Sequence, residues 1–164
     1  MRSNGTKTIL KAIGLGVIAG MRSMSAPALV SNHVAGGRFG AISETPFKVM
    51  GYQKTASLLK GLALGEMIAD KLPVIPARVS AAPLIARVVS GAVCGGAICA
   101  AGGERVELGA VAGGLAAVAG AYGFYHLRRA VGEESGLPDA LLGLTEDAIV
   151  ITGGLAILGD GEPA

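Results

Sequence analysis

The sequence predicts an all-α protein, a bundle of about five helices embedded in a membrane. Three observations favour this fold class. Apolar residues make up 51% of the 164 residues, charged residues only 16%, and the mean hydropathy is +0.58, whereas soluble domains carry roughly 25% charged residues. The 27 glycines and the 4% aromatic content also disfavour a β-sandwich, because strands are rich in aromatic and β-branched residues. The length suits a single membrane domain over residues 1–164.

Charge and motifs exclude several function classes. The net charge of +2 is too small to indicate a nucleic-acid partner, and the chain has no basic cluster interleaved with aromatic residues. It contains no HExxH, no CxxC and no phosphate-binding glycine loop, so we predict neither a metal nor a cofactor. Cys94 and Cys99 lie five positions apart in an apolar run. On a helix they point roughly 140° apart, so we expect buried thiols without a disulfide.

Five segments are candidates for membrane-spanning helices. Residues 108–127 meet the usual length of about 18 apolar residues, because they contain no Asp, Glu, Lys or Arg. Residues 83–103 qualify if Arg87 extends its charged end to the membrane interface, and Pro83 suits the first turn of a helix. Three further segments qualify only with charged residues inside them: residues 10–31, 54–72 and 140–159.

The first of these segments has alternatives. Arg22 lies near the middle of residues 10–31, so the segment is either one helix or a re-entrant hairpin bent at residues 22–27. A basic start followed by an apolar run also resembles a cleaved signal peptide. The basic residues are Arg2, Lys7 and Lys11. Because Pro27 lies inside the candidate cleavage site, we keep the segment as part of the structure.

Two polar stretches lie between or after the spans. Residues 32–53 form an insertion that we expect to be an outer loop or a surface helix, and residues 160–164 form a short tail. Four GxxxG pairs occur within the candidate helices, and about four are expected by chance at this glycine content, so their number carries no argument. They begin at Gly16, Gly61, Gly91 and Gly109. The density of small residues over 109–123 is the better indication of tight helix packing.

Nine charged or titratable side chains are candidates for a functional site, because such groups at bilayer depth are costly unless they are paired or hydrated. They are Arg22, Glu66, Asp70, Lys71, Arg87, His126, Arg128, Glu146 and Asp147. Glu66 and Asp70 lie four positions apart and share one face of a helix. The four carboxylates could bind a cation, accept protons or neutralise the arginines. His126 lies at the end of the strongest span, next to Arg128 and Arg129. At a helix end we expect its ring to lie at the membrane interface rather than to bind a metal.

Three blocks of sequence carry a resemblance to a known family. Residues 19–27 read Ala-Gly-Met-Arg-Ser-Met-Ser-Ala-Pro, residues 66–73 read Glu-Met-Ile-Ala-Asp-Lys-Leu-Pro, and residues 145–147 read Thr-Glu-Asp. They resemble the signatures of an uncharacterised bacterial family of small integral membrane proteins, known only as a domain of unknown function. The resemblance covers most of residues 10–160, and the stretch 32–53 departs from it. It implies a membrane protein and supplies no activity.

An internal repeat is also expected. A glycine-rich segment that ends in Arg22 precedes the acids Glu66 and Asp70, and another that ends in Arg128 precedes Glu146 and Asp147. One helix separates the two units, which predicts an inverted 2+1+2 arrangement of the kind found in secondary transporters. Such a repeat would bring both sets of acids to one site.

The function that these patterns favour is a small transporter or channel with arginines and carboxylates inside the membrane. The alternatives are a structural or accessory membrane protein and a lipid-modifying membrane enzyme. Its partners would be the lipid bilayer, a small solute or ion and, because short helices enclose little volume, further copies of the chain. The distribution of basic residues, eight against five, predicts a multi-pass protein of the inner (plasma) membrane with a cytoplasmic N-terminus. It leaves the side of the C-terminus open.

Overall fold

The computed structural model describes residues 2–37, 42–69, 81–135 and 138–159. Within these ranges the chain forms six α-helices, one 3-10 helix and no strand, which confirms the all-α fold class. The helices are α1 (Arg2–Met21), α2 (Ser25–Gly37), the 3-10 helix (Pro46–Gly51), α3 (Gln53–Ala69), α4 (Ala81–Ala101), α5 (Val106–Ser135) and α6 (Asp139–Gly159).

Among the described residues, three helices are long and apolar enough to cross a membrane. They are α4, α5 over Val106–Glu134 and α6 over Ala140–Gly159. The expected count of five spans is therefore not confirmed. The reason lies in the charges of α1 and α3: Lys7 and Lys11 leave α1 a short apolar run, and Lys60 and Glu66 interrupt α3.

The first expected span is broken. α1 ends at Met21 and α2 begins at Ser25, so residues 10–31 do not form one helix. A Cβ atom added at Gly154 of α6 would meet both Ile18 of α1 and Leu29 of α2. Ile18 before the break and Leu29 after it therefore lie at the same height along the axis of the bundle. The chain reverses its direction at the break, which agrees with the hairpin alternative.

The segment 32–53 packs onto the bundle. Its first residues continue α2 to Gly37, and Met50 is 5% exposed, with its carbonyl accepting a 2.5 Å hydrogen bond from the Ser31 hydroxyl. Thr45 caps the 3-10 helix by accepting from the Phe47 amide. A Cβ at Gly96 in the second half of α4 would meet the Phe47 ring. The described part of this segment thus includes a short surface helix with one buried side, and its location outside the membrane stays a prediction.

Glycines join α1, α4 and α5 into the centre of the bundle. A Cβ atom at Gly95 would collide with the carbonyl oxygen of Gly109, and one at Gly113 would collide with that of Gly91. Such backbone-to-backbone approach is possible only where side chains are absent or very small. The tight packing predicted for the glycine-rich part of α5 is confirmed. At the α4–α5 turn, Gly103 adopts a φ of 68°, a left-handed conformation that favours glycine.

The directions of the helices do not follow the expected inverted repeat. Gly16 of α1 lies against Gly113, and Gly20 lies against Ala117 and Ala121, so α1 and α5 run in the same direction. An inverted 2+1+2 plan requires them to run in opposite directions. The physical reason is the break in the first segment, because α2 reverses the chain and thereby changes the direction of every helix that follows.

The start of α1 and the end of α6 lie at the same end of the bundle. Gly14 lies against Ile157 and Ile18 against Gly154, so the two helices are antiparallel. α5 continues beyond the expected end at Arg129 and reaches Ser135. An exposed pair joins Arg129 Nε and Glu133 Oε1 at 2.8 Å across one turn of this extension.

Candidate functional site

The break between α1 and α2 places Arg22 inside the protein. This side chain has 0% exposure, and its Nη2 atom lies 2.7 Å from Oδ1 of Asp147 on α6, whose side chain is 11% exposed. A buried guanidinium without a counter-ion would be strongly unfavourable, so this ion pair is what allows Arg22 to lie there. The sequence left open which carboxylate would neutralise each arginine, and this pair joins Arg22 to the last helix.

Glu66 of α3 binds the residues that follow Arg22. Its Oε1 atom accepts hydrogen bonds from the Ser23 amide at 2.8 Å and the Ser23 hydroxyl at 2.7 Å. Its Oε2 atom accepts from the Met24 amide at 2.8 Å. These amides lie at the start of α2, where free N–H groups and the helix dipole favour a negative charge. They donate to the carboxylate at the point where α1 has ended, and Pro27 also disfavours one continuous helix through this stretch.

Two residues of α4 complete the surroundings of the break. The Ser90 hydroxyl donates a 2.5 Å hydrogen bond to the carbonyl oxygen of Ser23. Arg87 lies three residues earlier on α4 and is 4% exposed, so it is buried in the protein instead of extending to the membrane interface. Ser90 was not among the candidates chosen from the sequence. It lies three positions after Arg87, so the two share one helix face, and this spacing could have marked Ser90 as a candidate.

The depth of the break is consistent with the interior of a membrane. Lys11 is the last charged residue of α1 before an apolar run that extends to Arg22. At 1.5 Å per residue the two lie about 16 Å apart along the helix axis, roughly half of a 30 Å hydrocarbon core. If Lys11 lies at the membrane boundary and α1 runs along the bilayer normal, Arg22 would lie near the middle of the bilayer.

A second ion pair lies next to the first. Nη1 of Arg128 on α5 lies 3.1 Å from Oε2 of Glu146 on α6, and both side chains are largely buried. Glu146 and Asp147 are neighbours in sequence, but consecutive residues on a helix point about 100° apart, so each pairs with a different arginine. The acids of α6 therefore separate, one toward α5 and one toward the break.

The remaining candidates do not join these groups in the described structure. His126 is exposed, with its ring edge-on to Tyr125 at a centroid distance of 5.2 Å. Asp70 and Lys71 lie outside the described residues. Within the residues described, no cluster of three or more His, Cys, Asp or Glu side chains could hold a metal ion. Cys94 and Cys99 are buried, free thiols, as predicted.

Chemically, the break joins three helices to one short stretch of chain. Arg22 offers a positive charge, while Asp147 and Glu66 offer carboxylates that can hold a proton or a cation at adjacent positions. Two carboxylates from different helices thus bind consecutive residues of the break: Asp147 binds Arg22, and Glu66 binds Ser23 and Met24. No family model matches this chain, and neither does any curated protein or solved structure.

Proposed function

We propose that the protein is a small transporter or channel of the plasma membrane, and that its site is the break between α1 and α2. The observation that carries this proposal is the placement of Arg22, which is completely buried, paired with Asp147 of α6, and directly followed by residues bound to Glu66 of α3. Charged groups at this depth mark ion or proton pathways in many membrane proteins, and interrupted helices form the binding sites of many transporters.

A mechanism follows from the contacts. A proton on Glu66 removes the negative charge that the Ser23 and Met24 amides bind, which weakens the attachment of α3 to the start of α2. A cation at Asp147, or an anion at Arg22, competes with the ion pair and weakens the attachment of α6. The hairpin of α1 and α2 would then shift between two arrangements, as alternating access requires.

The alternative is a structural or accessory role. It is favoured by a specific observation: Arg22 pairs with Asp147, Arg128 pairs with Glu146, and Glu66 binds backbone amides. In that role these contacts would only hold the helices together, and the protein would carry nothing across the membrane. If the protein is a transporter, loss of one carboxylate should abolish transport while the protein stays folded. If its role is structural, the same loss should only lower its stability.

The test is flux into liposomes that contain the purified full-length protein. Proton, sodium and chloride fluxes are each measured under an imposed gradient with a dye trapped inside the vesicles. We expect flux of at least one ion in the wild type and its loss in Asp147→Asn and Glu66→Gln. Glu133→Gln, on the exposed extension of α5, is the matched control and should retain full flux.

Thermal midpoints measured in detergent on the same variants separate the two roles. A variant that loses flux while it remains folded supports transport. A wild type that carries none of the three ions contradicts the transport proposal, and variants that only lose stability then assign the break a structural role.

We also propose three finer points. The first is that the chain belongs to the bacterial membrane family whose signatures residues 19–27, 66–73 and 145–147 resemble. The N-terminus would lie in the cytoplasm, and the antiparallel arrangement of α1 and α6 would place the end of α6 on the same side. Self-association would use the open face of α3, where nothing lies within 4 Å of a Cβ added at Gly61 or Gly65.

A further inference from the structure

A groove with two lysines lies where the start of α1 meets the end of α6. Its lining includes Lys7, Leu10 and Lys11 of α1 and Ile157 of α6, and it encloses a volume of about 420 Å³. Lys7 and Lys11 are four residues apart, so their ammonium groups share one face of α1. Leu10 is 60% exposed. The groove thus combines two positive charges with an apolar wall.

The charges of this groove are not neutralised by the described parts of the chain. Neither Lys7 nor Lys11 forms an ion pair with a described residue. The nearest acid shown at this end is Glu104, whose carboxylate lies against Gly5 on the side of the α4–α5 turn. Thr8 also faces that turn, whereas Lys7 and Lys11 face α6. With respect to the described residues, both ammonium groups are therefore available to an anion.

The position of the groove along α1 identifies the anion. Lys11 is the last charged residue before the apolar run that leads to Arg22, so in a membrane-embedded bundle it would lie at the boundary between headgroups and hydrocarbon. Phospholipid phosphates lie at this boundary, and their acyl chains continue along the apolar surface of neighbouring helices. A free phosphate would gain nothing from Leu10 and Ile157, whereas an acyl chain would cover both.

We propose that this groove binds one anionic phospholipid, with the phosphate held by Lys7 and Lys11 and an acyl chain packed against Leu10 and Ile157. Basic pockets between helices near the cytoplasmic surface bind anionic headgroups by this chemistry. The lipid would join α1 to α6 at the end of the bundle opposite the ion pair of Arg22 and Asp147. This site is separate from the break and does not depend on transport.

The test measures lipid binding to the detergent-purified full chain by native mass spectrometry, with dioleoylphosphatidylglycerol as the probe. We expect one lipid to bind more tightly than dioleoylphosphatidylcholine. The double variant Lys7→Gln/Lys11→Gln should bind the anionic lipid about 30-fold more weakly, since each lysine near an anionic surface contributes roughly a 5-fold change in affinity. The variant Lys7→Arg/Lys11→Arg should keep the binding, which shows that charge and not fold is responsible.

The matched control is Lys48→Gln/Lys54→Gln, which removes two exposed lysines elsewhere in the chain. It should leave the affinity unchanged. An equal loss in this control, or equal binding of the zwitterionic lipid, would overturn the proposal in favour of general charge attraction. Full displacement of the lipid by inorganic phosphate would instead identify a free-phosphate site. Unchanged binding in the Lys7 and Lys11 variant would also contradict the lipid site.

Discussion

Two regions of the molecule are held together in opposite ways. In the central interface of α1, α4 and α5, glycines such as Gly95 and Gly113 allow backbones to touch. At the break between α1 and α2, large polar side chains fill the space, and Arg22 is completely buried with a carboxylate beside it. The first region depends on the absence of side chains and the second on their charges.

The two regions differ in how rigid they are: we expect the central interface to be fixed and the break to be able to rearrange. Close-packed backbones have one arrangement, because displacing them opens voids along the whole interface. Ion pairs and carboxylate-bound amides respond to a proton, an ion or a counter-charge. The central interface is therefore the fixed frame, and the break is the place where the chemistry of a small solute could act. The following substitutions test this division.

The largest effect is expected in the frame. Gly113→Leu should abolish the folded bundle, with a loss of more than about 4 kcal/mol in unfolding free energy, because even a Cβ there collides with the Gly91 carbonyl oxygen. Titration of the purified protein with SDS in mixed micelles, followed by circular dichroism, measures this quantity. Gly61→Leu is the matched control, since a Cβ at Gly61 meets nothing within 4 Å and the variant should remain folded. Equal losses in both variants would mean that the packing of α4 on α5 does not decide stability.

A smaller but still large effect is expected at the ion pair. Arg22→Met should reduce the unfolding free energy by about 3–5 kcal/mol, because it leaves the Asp147 carboxylate buried without this counter-ion. The double variant Arg22→Met/Asp147→Asn should recover at least half of that loss in the same SDS titration. If the two single losses simply add in the double variant, Arg22 and Asp147 do not interact energetically.

The smallest of the three effects is expected at Glu66. Glu66→Gln removes the charge but keeps one carbonyl oxygen that can accept from the Ser23 or Met24 amide, so the loss should be about 1–2 kcal/mol. The same titration measures it, and Glu133→Gln on the exposed extension of α5 should show no measurable change. A loss at Glu66 larger than at Arg22 would show that capping of α2, and not the ion pair, holds the break.

The contrast between the regions also explains which glycines matter. The GxxxG pattern is present in α3 as it is in α1, α4 and α5, yet Gly61 and Gly65 face open space while Gly91 and Gly95 contact α5. The sequence pattern is the same in each helix. The difference arises from which helix face is turned toward a neighbour, and a pattern of four residues contains no information about that neighbour.

Composition and charge patterns predicted much of the fold. The all-α class, the positions of α4, α5 and α6, the tight glycine packing and the buried, unpaired thiols of Cys94 and Cys99 follow from residue types and spacings. These properties depend on neighbours close in sequence or on average composition. That Arg22, Glu66 and Asp147 have polar partners was also predictable, because charges in apolar segments must find partners.

Only the tertiary structure decided how those charges pair and which way the helices run. Asp147 and Glu146 are adjacent in sequence, yet one meets Arg22 and the other meets Arg128. At the break, where the chain reverses, the Ser23 and Met24 amides donate hydrogen bonds to Glu66, more than forty positions away in the sequence. That reversal makes α1 and α5 parallel and removes the expected inverted repeat. Pairing between distant residues depends on the packing of whole helices, and local spacing cannot specify it.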